Sequence, residues 1–245
     1  VREQFFKAGA VSARQMPQAF LVHAAGDPGR RCYPLALLMA AAFSRGESAE
    51  RALIGRVANA SLAPADADSR ALLLSLDELR EVRMNLVGTS LGSHDLQEVM
   101  AALEAKAASS VLLLDTGNHV LLAARVVTAD STAYRFFEPN FAVYGFEHGS
   151  AMQQGIKEHL LRDGGELARL YGLADAGDLR FNVVELNTAA IAETVLPSSL
   201  QVGSLLENTA LPGVESISVW EKQSALRARS LSENARLGES LAQVD

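Results

Sequence analysis

Among the side chains that could act as nucleophiles one type occurs once: Cys32 is the single thiol among 245 residues. It follows Asp27-Pro28-Gly29-Arg30-Arg31 and precedes Tyr33-Pro34 and a run of leucine, methionine and alanine. A glycine turn thus delivers the thiol to the first turn of an expected buried helix. Unpaired amide hydrogens and the positive end of the helix dipole favour a thiolate there, and Arg30 and Arg31 add positive potential. The same amides could hold a developing oxyanion, given a second donor from the preceding loop. Further on, Gly117-Asn118-His119-Val120 sets a histidine at the mouth of an apolar strand. Glu138 lies nineteen residues beyond it in Phe136-Phe137-Glu138-Pro139-Asn140, at the end of the next strand. A hairpin therefore brings Glu138 or Asn140 back beside His119 to fix its tautomer and orientation. Taken singly, each group has a plainer account: a lone cysteine is usually a small buried hydrophobe, His119 a satisfied strand histidine, and Glu138 a solvated strand end.

A serine competes for the same role. Gly88-Thr89-Ser90-Leu91-Gly92 fits the nucleophile-elbow pattern, with Met84 to Val87 as a possible strand before it and a helix from Asp95 after it. Asp115 or Asp130 and His148 or His159 would supply the acid and base in the right order. The elbow, however, needs a parallel sheet with crossover helices, and residues 34–83 read almost wholly helical while residues 111–137 read as adjacent hairpin strands. A glycine-rich loop capping the next helix through Ser93 is the simpler expectation.

The elements that must hold these groups follow from periodicity. Val1 to Gln18 has no lasting pattern and is expected to be a lead. Pro34 to Phe43 carries no charge, which predicts a helix buried on all sides and ended by Arg45-Gly46. Glu47 to Ala60 and Ser69 to Arg83 predict two surface helices, separated by Ala63-Pro64-Ala65-Asp66. Asp95 to Ala107 predicts an amphipathic helix with Leu96, Val99, Met100 and Leu103 on one face. Strands are predicted over 111–114, 120–127, 134–137 and 179–186, with turns at Thr116-Gly117-Asn118 and Ala129-Asp130-Ser131. Helices first and hairpin-linked strands afterwards imply an α+β fold. From Thr188 onward the chain returns to helix, broken by Pro197 and Pro212, with Trp220 as an anchor for a last helix over about 215–241.

Composition removes several function classes. The net charge is -7, and no basic block offers a phosphate-tracking surface, so nucleic acid is not an expected partner. One cysteine excludes an internal disulfide, and no Cys/His cluster has zinc-ligand spacing, so neither metal nor other cofactor is expected. No apolar run approaches the roughly 20 residues of a bilayer span, and Val1-Arg2-Glu3-Gln4 does not open a signal peptide. His23, His94, His148 and His159 read as ordinary loop or surface residues. A start at valine suggests a chain cut from something longer.

Cysteine, histidine, then carboxylate or amide is the papain order. Arg31-Cys32 before a hydrophobic helix, Asn118-His119 opening a strand, and Phe136-Phe137-Glu138-Pro139-Asn140 resemble the papain-like cysteine peptidases of the YopT-like and "makes caterpillars floppy" (MCF) toxin group. The resemblance covers roughly residues 20 to 186 through short, moderately specific motifs. It departs at Glu138, where those families place an aspartate, and at Tyr33, where the floppy-toxin relatives tend to show Arg-Cys-Asp. It implies a papain-like cysteine protease domain over 19–187, after a lead over 1–18 and before a helical appendage or linker over 188–245. The implied nucleophile is Cys32, the base His119, and the orienting group Glu138 or Asn140. It further implies an effector module of a larger secreted bacterial toxin, acting in the host cytosol on a peptide or protein substrate, by self-processing or by cleavage of a host protein. Recognition of a small host GTPase of the ADP-ribosylation-factor type is implied by the floppy-toxin branch. The remaining alternative is a protease-like scaffold kept for binding, with Cys32 and His119 unaligned.

Overall fold

A computed structural model describes residues 1–16, 18, 19, 21, 31–173 and 179–207. The Gly26-Asp27-Pro28-Gly29 turn, Arg30, His23, and the tail with Pro212, Trp220 and the expected last helix lie outside the described residues. Elements run in the order α1 (Arg2–Lys7), β1 (Ala10–Gln15), α2 (Cys32–Arg45), α3 (Glu47–Leu62), α4 (Ala67–Arg80), α5 (Met84–Val87), β2 (Gly88–Asp95) and α6 (Leu96–Glu104). They continue with β3 (Ser110–Asp115), β4 (Val120–Val127), β5 (Thr132–Glu138), β6 (Ala142–Phe146), α7 (Gly149–Tyr171), β7 (Arg180–Leu186), α8 (Thr188–Glu193) and a 3-10 turn, Val202–Leu206.

Among the described residues, seven strands form one sheet in the order β1-β6-β5-β4-β3-β7-β2, and every neighbouring pair is antiparallel. The central strands read as near-continuous apolar runs because both faces are covered, and alternate residues serve opposite cores. Val111, Leu113, Leu122, Ala124 and Phe137 join a core with α2, α3 and α4. Leu112, Leu114, Leu121, Ala123 and Phe136 join the other, with α1, α6 and α7. The fold is α+β, as the order of helices and hairpins implied.

The predicted buried helix is α2, in which every residue from Pro34 to Ala42 is buried. It ends at Gly46, whose φ of 92° is a conformation that suits glycine. The four predicted strands are β3, β4, β5 and β7: β4 has the predicted bounds, β3 and β5 extend beyond theirs at both ends, and β7 starts one residue later. The amphipathic helix is α6, capped by Asp95 in a reciprocal capping box with Glu98, so Asp95 and not Ser93 is the cap.

Several expectations are corrected. Residues 2–15 are helix and edge strand, not a patternless lead: Phe5 is fully buried, stacks on Tyr144 with ring centroids 3.9 Å apart, and β1 pairs with β6. One buried side chain on a six-residue helix leaves no periodicity to detect. α3 is buried on most of its surface because its polar residues are paired: Arg56 with Asp68, Glu50 with Arg14, and Asn59 with Ser69 at 3.0 Å. Residues 188–206 also pack into the body, with Ile191, Val202 and Leu205 in the α2 core. Met84–Val87 is helix, and Gly88–Asp95 is an edge strand with an irregularity between Ser90 and Gly92. Ser90 is exposed there, on a strand antiparallel to β7, so the strand-turn-helix geometry of a nucleophile elbow is missing at this serine.

Candidate active site

Three layers meet at one end of the sheet. Cys32 opens α2, on one face. His119 directly precedes β4, presented by a turn that is closed several times over. The Asp115 carboxylate accepts from the Gly117 amide at 2.8 Å, and Gly117 has a φ of 92°. The Thr116 hydroxyl donates to the Tyr171 carbonyl at 2.6 Å and accepts from the His119 amide at 3.2 Å. Glu138 ends β5; two residues after Phe136, it points to the face that α7 covers.

Register brings the histidine and carboxylate together. β4 and β5 pair with Leu122 opposite Phe137, so the start of β4 meets the end of β5. His119 Nε2 lies 2.8 Å from Glu138 Oε1. That leaves Nδ1 as the ring nitrogen for the Cys32 thiol, which interacts with His119 from the third layer. The three groups are all buried, Glu138 completely. Asn140, the alternative third member, turns elsewhere: its side-chain amide donates to the Tyr171 hydroxyl at 2.9 Å, and its Oδ1 accepts from Gln18 Nε2 at 2.6 Å. What it gives the carboxylate is its backbone N–H, 2.9 Å from Glu138 Oε1.

The electrostatics favour a charged pair. Burial pushes the Cys32 thiol up, but hydrogen bonding to His119, the histidine's charge and the amides of Val120 and Tyr33 outweigh it, and the thiol titrates below its ordinary 9.0. Burial alone would lower His119; its hydrogen bonds with Cys32 and Glu138 and their charges instead raise it from 6.5 to about 9. Burial opposes ionisation of Glu138, yet His119, His159 and the Asn140 amide hold it down at about 2. A thiolate, an imidazolium and a carboxylate in this order can attack a carbonyl and then protonate a leaving amine. Arg31 contributes less than expected to the thiolate, because its guanidinium pairs with Asp77 of α4 at 3.2 Å. Tyr33 is turned away, its hydroxyl donating to the Val82 carbonyl at 2.8 Å.

Two neighbours escaped the sequence-based expectations. Tyr171 donates from its hydroxyl to Glu138 Oε2 at 2.9 Å, and its ring lies 4.2 Å from that of His119. His159, expected at the surface, is fully buried beside the same carboxylate. Met152, Ile156 and Leu160 share its buried helix face, so helical spacing was the available signal. His148 is exposed at the N-cap position of α7 without a side-chain capping bond, and His94 bonds the Leu91 carbonyl at 2.9 Å. Among the described residues, no group of three or more His, Cys, Asp or Glu is placed to hold a metal ion, and no helix is long and apolar enough to cross a membrane.

Comparison with known proteins agrees with this architecture. The family model for the Mcf1 protease effector domain matches residues 1–217. Among solved structures, the fold is similar to PatoxP, a cysteine protease-like domain of the Photorhabdus asymbiotica toxin PaTox, with a TM-score of 0.61 at 15% identity. The match covers 84% of this chain and 64% of that one. No curated protein matches.

Proposed function

Because this chain belongs to the Mcf1 protease effector domain family, we propose that it is a cysteine protease in which Cys32 is the nucleophile, His119 the general acid and base, and Glu138 the orienting anion. The observation that carries this reading is the 2.8 Å contact of His119 Nε2 with Glu138 Oε1, which commits that nitrogen and frees Nδ1 for the thiol. The thiolate attacks the scissile carbonyl, and amides at the start of α2 stabilise the oxyanion. His119 passes its proton to the departing amine, leaving an acyl-enzyme. A water, deprotonated by His119, then releases the acid and restores the thiolate. Glu138 keeps the imidazole oriented and stabilises its charged form throughout.

The work of this chemistry, on our reading, is that of an effector module of a larger secreted toxin acting in the host cytosol. Its substrate is a peptide bond of its own parent chain or of a host protein. A small host GTPase of the ADP-ribosylation-factor type is the proposed partner, and a host protein that binds the competent conformation would activate the site by raising its population. The folded state of residues 2–15 bears on where a self-cut falls. A protease cleft takes an extended peptide, and cutting within α1 or β1 would require lifting Phe5 out of the core. The cut therefore lies outside these elements.

The test is to express a form extended at its amino end in host cells, as wild type, Cys32→Ala and Ser90→Ala, and to sequence the amino end of each product. Trimming in wild type and Ser90→Ala but not in Cys32→Ala is expected. Identical trimming in all three would assign the cut to a host protease and favour the binding scaffold.

A further inference from the structure

Glu138 is held from two sides, and the second side has no part in the three-group mechanism. Oε1 takes His119 and the Asn140 amide. Oε2 faces α7, where the Tyr171 hydroxyl donates to it at 2.9 Å and His159 Nε2 stands 3.5 Å away. His159 is fully buried. Its ring is wedged between Phe5, centroids 5.1 Å apart, and Phe141, edge-on at 5.3 Å. Neither of its ring nitrogens has a well-formed hydrogen bond among the described residues. A buried imidazole without a partner is costly, and an apolar side chain would fill the same space without that cost. Among the described residues, the charged group within ion-pair range of it is the Glu138 carboxylate.

The course of α7 makes this convergence possible. His159 and Tyr171 are twelve residues apart, which on a straight helix is about 18 Å along the axis, too far to reach one oxygen. The helix is broken between them. Arg162 is extended (ψ 147°), and Asp163, Gly164 and Gly165 have φ of 53°, 70° and 79°. Left-handed backbone at a non-glycine residue such as Asp163 is unfavourable and persists only where the surroundings impose it. The second arm is then pinned to the turn that carries His119: the Asn118 amide donates to the Tyr171 carbonyl at 3.1 Å, beside the Thr116 hydroxyl. At Gly172, φ 93°, a Cβ would sit 2.8 Å from the Thr116 carbonyl oxygen.

We propose that the two arms of α7 clamp the Glu138 carboxylate, with Tyr171 and His159 as positioning residues that fix Oε2 so that Oε1 stays on His119. The proposal rests on the Cys32–His119 reading for its link to catalysis. The groups facing the clamped carboxylate are His119 before β4, Asn140 after β5, Tyr144 on β6, Tyr171 and His159 on α7, and Cys32 beyond His119. Burial and the carboxylate push both phenols up, so Tyr171 keeps its donor hydrogen wherever the site is charged. The clamp is thus a neutral donor from one arm and an imidazole from the other, both on the oxygen that the catalytic histidine does not use.

The experiment uses the full chain, labelled with nitrogen-15 at histidine, as wild type, Tyr171→Phe, His159→Leu and His159→Gln. Nuclear magnetic resonance reads the titration midpoint of His119, and peptide cleavage gives kcat and KM. Tyr171→Phe and His159→Leu are expected to lower the His119 midpoint by about one pH unit and kcat by about tenfold with KM unchanged. His159→Gln, which keeps an N–H donor, is expected to restore most of both. An unchanged His119 midpoint in Tyr171→Phe and His159→Leu would overturn the proposal whatever happened to melting temperature, leaving the two as core packing. If His159→Leu fails to fold, Tyr171→Phe, which removes a single oxygen, decides alone. Should the wild type cleave nothing while the midpoints move as stated, the protease reading falls and the clamp stands.

Discussion

Replacing Glu138 with glutamine removes one charge and keeps the shape of the side chain, so it isolates what the anion does for His119. The histidine is raised from 6.5 to about 9 against the opposing effect of burial, by Cys32 and Glu138 together. Each pH unit corresponds to about 1.4 kcal/mol, so the net rise that Cys32 and Glu138 achieve against burial is about 3 kcal/mol. Losing one partner is therefore expected to move the midpoint down by about one to two units. In a pH profile of kcat, the alkaline limb set by loss of the imidazolium shifts from near 9 toward neutrality, and kcat at neutral pH falls about 10- to 100-fold. Stability gives a second readout with its own sign. A Glu138 carboxylate depressed from 4.5 to about 2 stabilises the fold above pH 4.5, and this contribution is lost as pH falls toward 2. The raised His119 stabilises below 6.5 and loses its contribution as pH rises through about 9. Glu138→Gln should flatten the acid side of a plot of stability against pH. An alkaline limb and an acid denaturation profile both indistinguishable from wild type would refute the role given to this carboxylate.

Asn140→Ala is expected to cost much less activity than Glu138→Gln, because the Asn140 contact with the carboxylate is its backbone N–H; steady-state kinetics on both variants checks the order. Phe5→Ala is expected to destabilise the protein by about 3–5 kcal/mol, since its ring is wholly buried against Tyr144, Phe146 and Phe136. A denaturant titration tests this, and no change would restore the first residues to the standing of a dispensable lead.

What could be seen in the sequence followed from how completely each element is enclosed. β3, β4, β5 and β7 lie inside the sheet, covered on both faces, and their apolar runs are legible, whereas β6, equally enclosed, was missed because it is only five residues long and Gly145 interrupts its run. α2 lacks any polar residue between Pro34 and Phe43 for the same reason. The edge strands were hidden: β1 and β2 pair on one side only and carry Ser12, Arg14, Thr89, Ser90 and Ser93 where inner strands carry leucine. α3 misled because its buried polar residues are neutralised by partners on β1 and α4. At the site, His119 and Glu138 were marked by the neighbouring Gly117 and Pro139, and Cys32 by the glycine and proline residues that precede it. The choice between Glu138 and Asn140 depended on side-chain directions in a tight turn, which residue types do not determine. Tyr171 and His159 were invisible as a pair, because only the break at 162–165 brings residues so far apart on one helix to a single oxygen.

The central claim is that Cys32 is a thiolate made nucleophilic by His119, and the lone cysteine makes it directly measurable. Alkylation of the intact protein by iodoacetamide, followed by mass, reports one site without ambiguity. The rate as a function of pH traces the thiolate fraction. The account predicts a midpoint below the ordinary thiol value of 9.0, shifted back toward that value in His119→Ala. A wild-type rate that climbs through pH 9 like a free thiol and is indifferent to His119→Ala would contradict it.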